Sequence, residues 1–284
     1  MEIEIREGRE LDWDLLDQVE ELHRRIWGFA DRGPCYPARL YRVQARIGGT
    51  PLVAVAGGRS VAFLLGFAAY DREGPYIWSQ IMGVHPDWRG RGLASRLKWR
   101  QREFALAAGV ERIEWTYDPL EAGNGRLNLS VLGGLGVAYE REVYGGVTGP
   151  RFSLPADRVR VRWDLRSPRV ERAAGGALAF GEERPPGAVV VLSGTEEPER
   201  VELDGKGEYL LAQIPPSIQE VLTAGGDPAG EPTPRGLARG RTWREALRRI
   251  GEHYLVRGRA VAGVCREKDG RTWLVLARRA DDRS

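Results

Sequence analysis

Arg89, Arg91 and Arg96 crowd a short run of glycines inside the stretch Trp78 to Ala108. Downstream, Leu93, Ala94, Leu97, Phe104, Ala105 and Ala108 repeat with a helical period, and Gly109 follows as a left-handed stop. A helix is therefore predicted to begin at the glycines. A helix start carries unpaired N–H groups and a partial positive charge, which disfavours a nearby cation by about 0.3–1 kcal/mol. Three arginines at that place break a local preference three times, and a bound anion would reverse the sign of the effect. Gly90 and Gly92 would let the backbone approach such an anion without an intervening side chain. The chemistry expected is the cradling of a pyrophosphate.

Other residues able to do chemistry are sparse. Asn124 and Asn128 are the only asparagines in the chain. Asn124 precedes glycine, where asparagine deamidates most easily, so keeping both, four apart on one helix face, suggests that their amides are used. The competing reading makes Asn124 an N-cap and Asn128 a solvated side chain. Asp118, Tyr117, Tyr139 and Tyr144 are candidates for proton transfer, each weighed against a core phenol or a turn aspartate before proline. His85 falls in a surface turn, and His23 and His253 lie on helices without acidic or thiol neighbours at metal-ligand spacing. Cys35 and Cys265 are far apart and read as buried thiols. No metal site is expected.

The run Val84-His85-Pro86-Asp87-Trp88-Arg89-Gly90-Arg91-Gly92-Leu93-Ala94 resembles the acyl-CoA signature of the GCN5-related N-acetyltransferases, with Arg89, Gly92 and Ala94 at its three defining positions. The resemblance implies an α+β (α/β/α) fold with a mixed, mostly antiparallel central sheet. It implies acyl-CoA as co-substrate, held by Met82, Gly83 and Val84 at a strand end, by Arg89, Gly90, Arg91, Gly92, Leu93 and Ala94 at the helix start, and by Asn124 and Asn128. Gly83 would mark a bulge that frees backbone N–H groups for the oxyanion and the pantetheine amides. The reaction implied is direct attack of a neutral amine on the thioester.

Trp115 to Leu120, with Asn124, Asn128 and Leu132-Gly133, is similar to a bacterial branch of that superfamily. Some of its members are encoded beside N-acylamino-acid racemases and transfer a succinyl group to an amino acid. The likeness extends through Arg151-Phe152, Trp163 and Trp243-Arg244 to Tyr254, and it implies a small amine, an amino acid, as acceptor. The sequence departs from the superfamily twice: Ser79 and Gln80 stand where many members have a glutamate base, and Leu132 where many have a tyrosine acid. Asp118 and Tyr144 are taken as the catalytic substitutes. The alternative is a non-catalytic acyl-CoA sensor.

These residues need elements to hold them. Ile3 and Ile5 alternate with charge in a first strand, and Leu15, Leu16, Val19, Leu22 and Ile26 trace a helix face ending near Gly28. Pro37 opens a shorter helix to Ile47. Three extended segments follow, Leu52 to Ala56, Val61 to Tyr70 and Tyr76 to Met82. Past the arginine-glycine helix come a strand from Arg112 to Tyr117, a short helix from Asn124 to Leu132, and paired strands Val137 to Val143 and Val159 to Leu165. Residues 1–167 are expected to form the acyl-CoA domain and 168–187 a linker. Residues 188–284 are then a smaller C-terminal α+β domain, with short strands, a proline- and glycine-rich segment from Gly225 to Gly236, and a helix opened by a capping box at Thr242 to Glu245.

The chain has 284 residues, room for two cores. Its 43 basic and 40 acidic residues give a net charge of +3, too balanced to suggest nucleic-acid binding. The N-terminus has no signal-peptide pattern, and the longest apolar run, Val61 to Tyr70, is too short to span a bilayer. A cytoplasmic protein is expected, with a small-molecule amine as partner and a homodimer left open. Gly90 to Ser95 partly imitates a dinucleotide fingerprint, but the third glycine is replaced by Ser95 and no regular βαβ series follows.

Overall fold

The computed structural model describes residues 2–145, 153–226 and 230–279. Its chain packs as two compact units, Met1–Trp115 with Asp164–Ser167, and Thr116–Trp163 with Pro168–Ser284. This division differs from the expected 1–167, 168–187 and 188–284. The strands expected to close the first domain pair instead within the second unit, where Gly136 faces Val261. The expected linker is in part helical, with Pro168–Ala174 burying Val170 and Ala173.

In the first unit the strands are β1 (Ile3–Glu7), β2 (Thr50–Ala56), β3 (Arg59–Asp71), β4 (Gly74–Val84) and β5 (Arg112–Tyr117), adjacent in that order. The first four are antiparallel neighbours, and β4 and β5 run parallel. Helix α1 (Trp13–Trp27) is capped by Asp12, which accepts the Leu15 N–H, and stops at Gly28 in the left-handed region. Its Leu15, Leu16, Val19 and Leu22 meet Phe63 and Leu65 of β3, joined by Tyr41 of α2 (Ala38–Arg46). Helix α3 (Leu93–Ala107) places Leu93 and Leu97 against Leu52, Ala54, Ala62 and Leu64 in a separate cluster. Alternation along β2 and β3 thus covers both faces of the sheet.

The second unit contains α4 (Ala122–Gly125), a π-helical turn Arg126–Val131, β6 (Leu135–Glu140), β7 (Arg158–Asp164), α5 (Pro168–Ala174), β8 (Val189–Gly194), β9 (Pro198–Val201), β10 (Tyr209–Ile214), α6 (Ile218–Leu222), α7 (Pro234–Leu255), β11 (Arg259–Arg266) and β12 (Thr272–Arg278). The strand order is β7-β6-β11-β12-β10-β8-β9. Helix α7 starts eight residues before the expected capping box. Thr233 caps it by accepting the Gly236 N–H, while Thr242 bonds back to the Arg239 carbonyl in mid-helix. Pro234 at the first helical position and the Thr233 cap together define a stronger start. The Gly225–Gly236 segment contributes Pro234, Arg235 and Gly236 to α7, and residues 227–229 lie outside the described residues. No helix among the described residues is long and apolar enough to cross a membrane.

Candidate functional site

Strands β4 and β5 pair only at Ile77↔Ile113 and Trp78↔Glu114. From Ser79 onward the β5-side edge of β4 has no strand partner among the described residues, so its backbone donors and acceptors are open to a ligand. Beside that parting the β3–β4 register shifts: Leu65 faces Ile81 and Gly66 faces Ser79, which makes Gln80 the bulged residue. The bulge expected at Gly83 is therefore three residues away. Gly83 answers to packing, because a Cβ there would lie 2.8 Å from the Phe63 ring and 2.9 Å from Ile26. Met82 and Val84, at the end of β4, turn toward the Leu93 and Leu97 cluster under α3.

The chain leaves β4 through a turn at Pro86–Trp88, in which His85 Nδ1 accepts the Asp87 N–H. Gly90 and Gly92 both have left-handed backbones, with φ of 73° and 74°. A Cβ at either would meet nothing within 4 Å, so the conformation is what requires glycine there. Gly92 is the N-cap residue of α3, and no side chain caps the helix. No loop carbonyl among the described residues accepts an N–H from residues 90–95. The first-turn amides of Leu93 and Ala94 are left to solvent or to an anion. Around them, Arg89 is exposed and its Nε lies 3.4 Å from the Val84 carbonyl. The Arg91 guanidinium sits 4.8 Å from the centre of the Trp88 ring, and Arg96 donates to the Ile3 carbonyl at 3.1 Å. The result is an exposed, uncapped helix start with three cations beside it.

The other expected site residues lie in the second unit. Asp118 accepts both Arg244 Nη1 at 2.8 Å and Nη2 at 2.6 Å, takes the Leu120 N–H at 2.9 Å, and has Arg158 at 3.6 Å. A carboxylate so engaged is an anchor for guanidinium groups. Tyr144 is brought to the same place, since the Arg158 guanidinium lies 4.9 Å from its ring centre and its hydroxyl is 3.4 Å from Thr116 Oγ1. Tyr117 is a buried phenol and Tyr139 a half-buried one, and desolvation is the first cause pushing both pKa values up. Asn124 and Asn128 do not share an environment: Asn124 is exposed on α4, whereas Asn128 is buried in the π-helical turn. The wider turn alters the facing that an α-helical spacing of four implies. Arg151-Phe152 lies outside the described residues.

Residues 16–124, which span β4, the arginine-glycine turn, α3 and β5, match the model of the acetyltransferase (GNAT) family. The matched segment makes up 109 of the 284 residues of the chain. Solved structures similar to it include the ribosomal-protein-S18-alanine N-acetyltransferase from Escherichia coli, at 15% identity and a TM-score of 0.45 over 58% of this chain and 96% of that one. Another is yncA, a putative acetyltransferase from Salmonella typhimurium solved with acetyl-CoA, at 18% identity and a TM-score of 0.47 over 58% and 95%. No curated protein matches the chain in sequence.

Two features of the matched segment and its surroundings escape sequence reasoning. Lys98 is buried where β4 and β5 part, its Nζ 2.8 Å from Gln101 Oε1, 3.1 Å from Ser79 Oγ and 3.6 Å from the centre of the Trp115 ring. Burial holds its pKa well below the usual lysine value. Gln101 passes the network on to Thr50 Oγ1 at 2.7 Å. The available signal was two polar residues, Lys98 and Gln101, falling inside the apolar stripe of α3. The second feature is the bulged Gln80, whose Nε2 donates to the Tyr36 hydroxyl at 2.6 Å while its Oε1 accepts from Trp78 Nε1 at 2.7 Å. Tyr36 lies in the connection between α1 and α2, where no local pattern marks it.

Proposed function

We propose that this protein is an acyl-CoA-dependent N-acyltransferase. It moves an acetyl or succinyl group from CoA to a small primary amine, an amino acid, by direct attack of the neutral amine on the thioester. The observation that carries this reading is the uncapped start of α3, ringed by Arg89, Arg91 and Arg96, directly following a strand that parts from its neighbour beside a bulge. The exposed amides and guanidinium groups suit a pyrophosphate. The unpaired edge of β4 suits an extended arm bearing amides, which adds to the strand as a further one would. The amino-acid acceptor rests on the branch resemblance around Trp115–Leu120.

The chemistry needs an oxyanion donor, a path for the amine proton and an acid for the leaving thiolate. Backbone N–H groups at the Gln80 bulge supply the first. For the second and third, the Tyr36 hydroxyl, hydrogen-bonded to Gln80, is better disposed than Asp118, which is committed to Arg244. Incubation with acetyl-CoA or succinyl-CoA and pooled D- and L-amino acids, followed by mass spectrometry, should show an N-acylated product. CoA binding with no product from any pairing would favour the sensor alternative, which the amide of Gln80 at the bulge supports.

A further inference from the structure

Buried polar side chains of the first unit gather at one place that the proposed chemistry leaves unused. Lys98 Nζ donates to Gln101 Oε1 at 2.8 Å and to Ser79 Oγ at 3.1 Å. Ser79 Oγ donates to the same Gln101 oxygen at 3.1 Å, and Gln101 Nε2 donates to Thr50 Oγ1 at 2.7 Å. All four residues are buried. Gly66 faces Thr50 across one strand pair and Ser79 across the other. A Cβ there would stand 2.2 Å from Thr50 Oγ1 and 2.6 Å from Gln101 Nε2, so glycine is what admits the network. Helix α3 is thus tied to β2 and β4 across a gap in β3.

Burying an amine costs free energy, and burial holds Lys98 well below the usual lysine pKa. An apolar side chain of similar length would fill the space without that cost. What the network supplies is register. Strict alternation along β4 would put Ser79 and Ile81 on one face. Instead Ser79 bonds to α3, Ile81 packs with Phe63 and Leu65 in the α1 cluster, and Met82 joins the cluster under α3. The extra residue that makes this crossing is Gln80. A slip that absorbed it would turn every side chain beyond it to the opposite face. Ser79 is the last residue before the bulge, and its bonds to Lys98 and Gln101 fix the face it takes.

We infer that Lys98 is a positioning residue for acyl transfer. Acting through Ser79, it pins the β4 bulge and so aims the backbone N–H groups at Gln80 that receive the oxyanion. The role in transfer rests on the acyl-transfer reading, whereas the hold on the bulge does not.

Hydrogen exchange of the full chain, read by mass spectrometry over residues 77–82 of β4, tests the hold. Melting temperature and steady-state transfer test what the hold is for. Lys98→Met should melt no lower than wild type, yet exchange about 10-fold or more faster over residues 77–82, with rates in the second unit unchanged. In acyl transfer its kcat should fall about 10- to 100-fold while KM for acyl-CoA holds, because the α3 start is untouched. Ser79→Ala should reproduce both effects, and the double variant should go no further than either single one. Unchanged exchange over residues 77–82 overturns the inference. So does faster exchange spread through the whole unit with a lower melting temperature, or additivity of the two variants. A loosened bulge with unchanged kcat overturns the role in transfer. A loosened bulge in a protein whose wild type yields no product from any donor and amine removes the transferase reading and leaves Lys98 holding the bulge.

Discussion

Arginines at the start of α3 and arginines in α7 are handled in opposite ways. Arg244 is buried and closes a bidentate pair with Asp118, and Arg248 reaches Asp157 through Nε at 2.9 Å and Nη2 at 3.0 Å. Tyr139 and the Glu142 N–H complete the shell of Asp157. Arg91 and Arg96, by contrast, are exposed and held by one ring face and one carbonyl. Cations whose bonds are closed by carboxylates hold a unit together. Arg91 and Arg96, which no carboxylate among the described residues engages, stand beside uncapped helix amides, and we propose that an anion from solution completes that place. The same residue type therefore predicts stability effects in one region and ligand effects in the other.

The largest effect should come from opening a closed shell. Asp157 is fully buried, and Asp157→Asn strands the Arg248 charge, which should cost about 3–5 kcal/mol in urea unfolding. Burial works against the charge of Asp157, yet the bonds from Arg248, Glu142 and Tyr139 outweigh it and hold its carboxyl below the ordinary range. Its contribution is therefore present above about pH 4 and lost as acid takes the pH through the lowered value. A variant as stable as wild type would mean that the shell contributes nothing net.

The next effect sits in the first unit and has another window. His23 is packed among Trp27, Phe29, Tyr36 and Phe63, and its Nδ1 accepts the Tyr36 N–H at 3.4 Å. Burial lowers its pKa from 6.5 to about 4. Between those values the unfolded chain binds the proton and the folded one does not, so stability falls as pH drops from about 6.5 to 4, by about 3 kcal/mol. His23→Phe should flatten that slope while leaving the Asp157 window in place. An unchanged slope would show that His23 is protonated in the folded protein.

The comparison also marks how far the sequence was legible. Local rules sufficed for the elements around the site, because apolar period, Gly28 and Gly109 are all short-range signals. They also placed the arginine-glycine turn on a helix start. They did not locate the bulge, since the choice of Gln80 over Gly83 is made by the register against β3 and by the Phe63 ring. Nor did they pair Asp118 with Arg244, which lies 126 residues away in sequence. The start of α7 was misplaced for a simpler reason: Thr242 and Glu245 fit a cap, but Thr233 and Pro234 fit a better one.

In the α3 region the expected effects are on ligands. Arg91→Glu removes a cation and adds an anion beside the free amides, and it should weaken CoA binding 10-fold or more, about 1.4 kcal/mol. Because Arg91 is exposed, stability should move by less than about 0.5 kcal/mol. Unchanged CoA affinity would place the pyrophosphate elsewhere.

Gly92→Ala gives the smallest effect and separates two reasons for a glycine. Its φ of 74° should cost alanine about 1 kcal/mol of stability, and the added methyl meets no protein atom within 4 Å. Only a bound group could collide with it. CoA stabilises the folded protein in proportion to its affinity, so the rise in melting temperature on adding CoA reads that collision directly. An equal rise in variant and wild type would assign Gly92 to backbone conformation alone. A rise that disappears would mean that the ligand lies against the space where the methyl stands, which is what a cradle formed by the α3 amides requires.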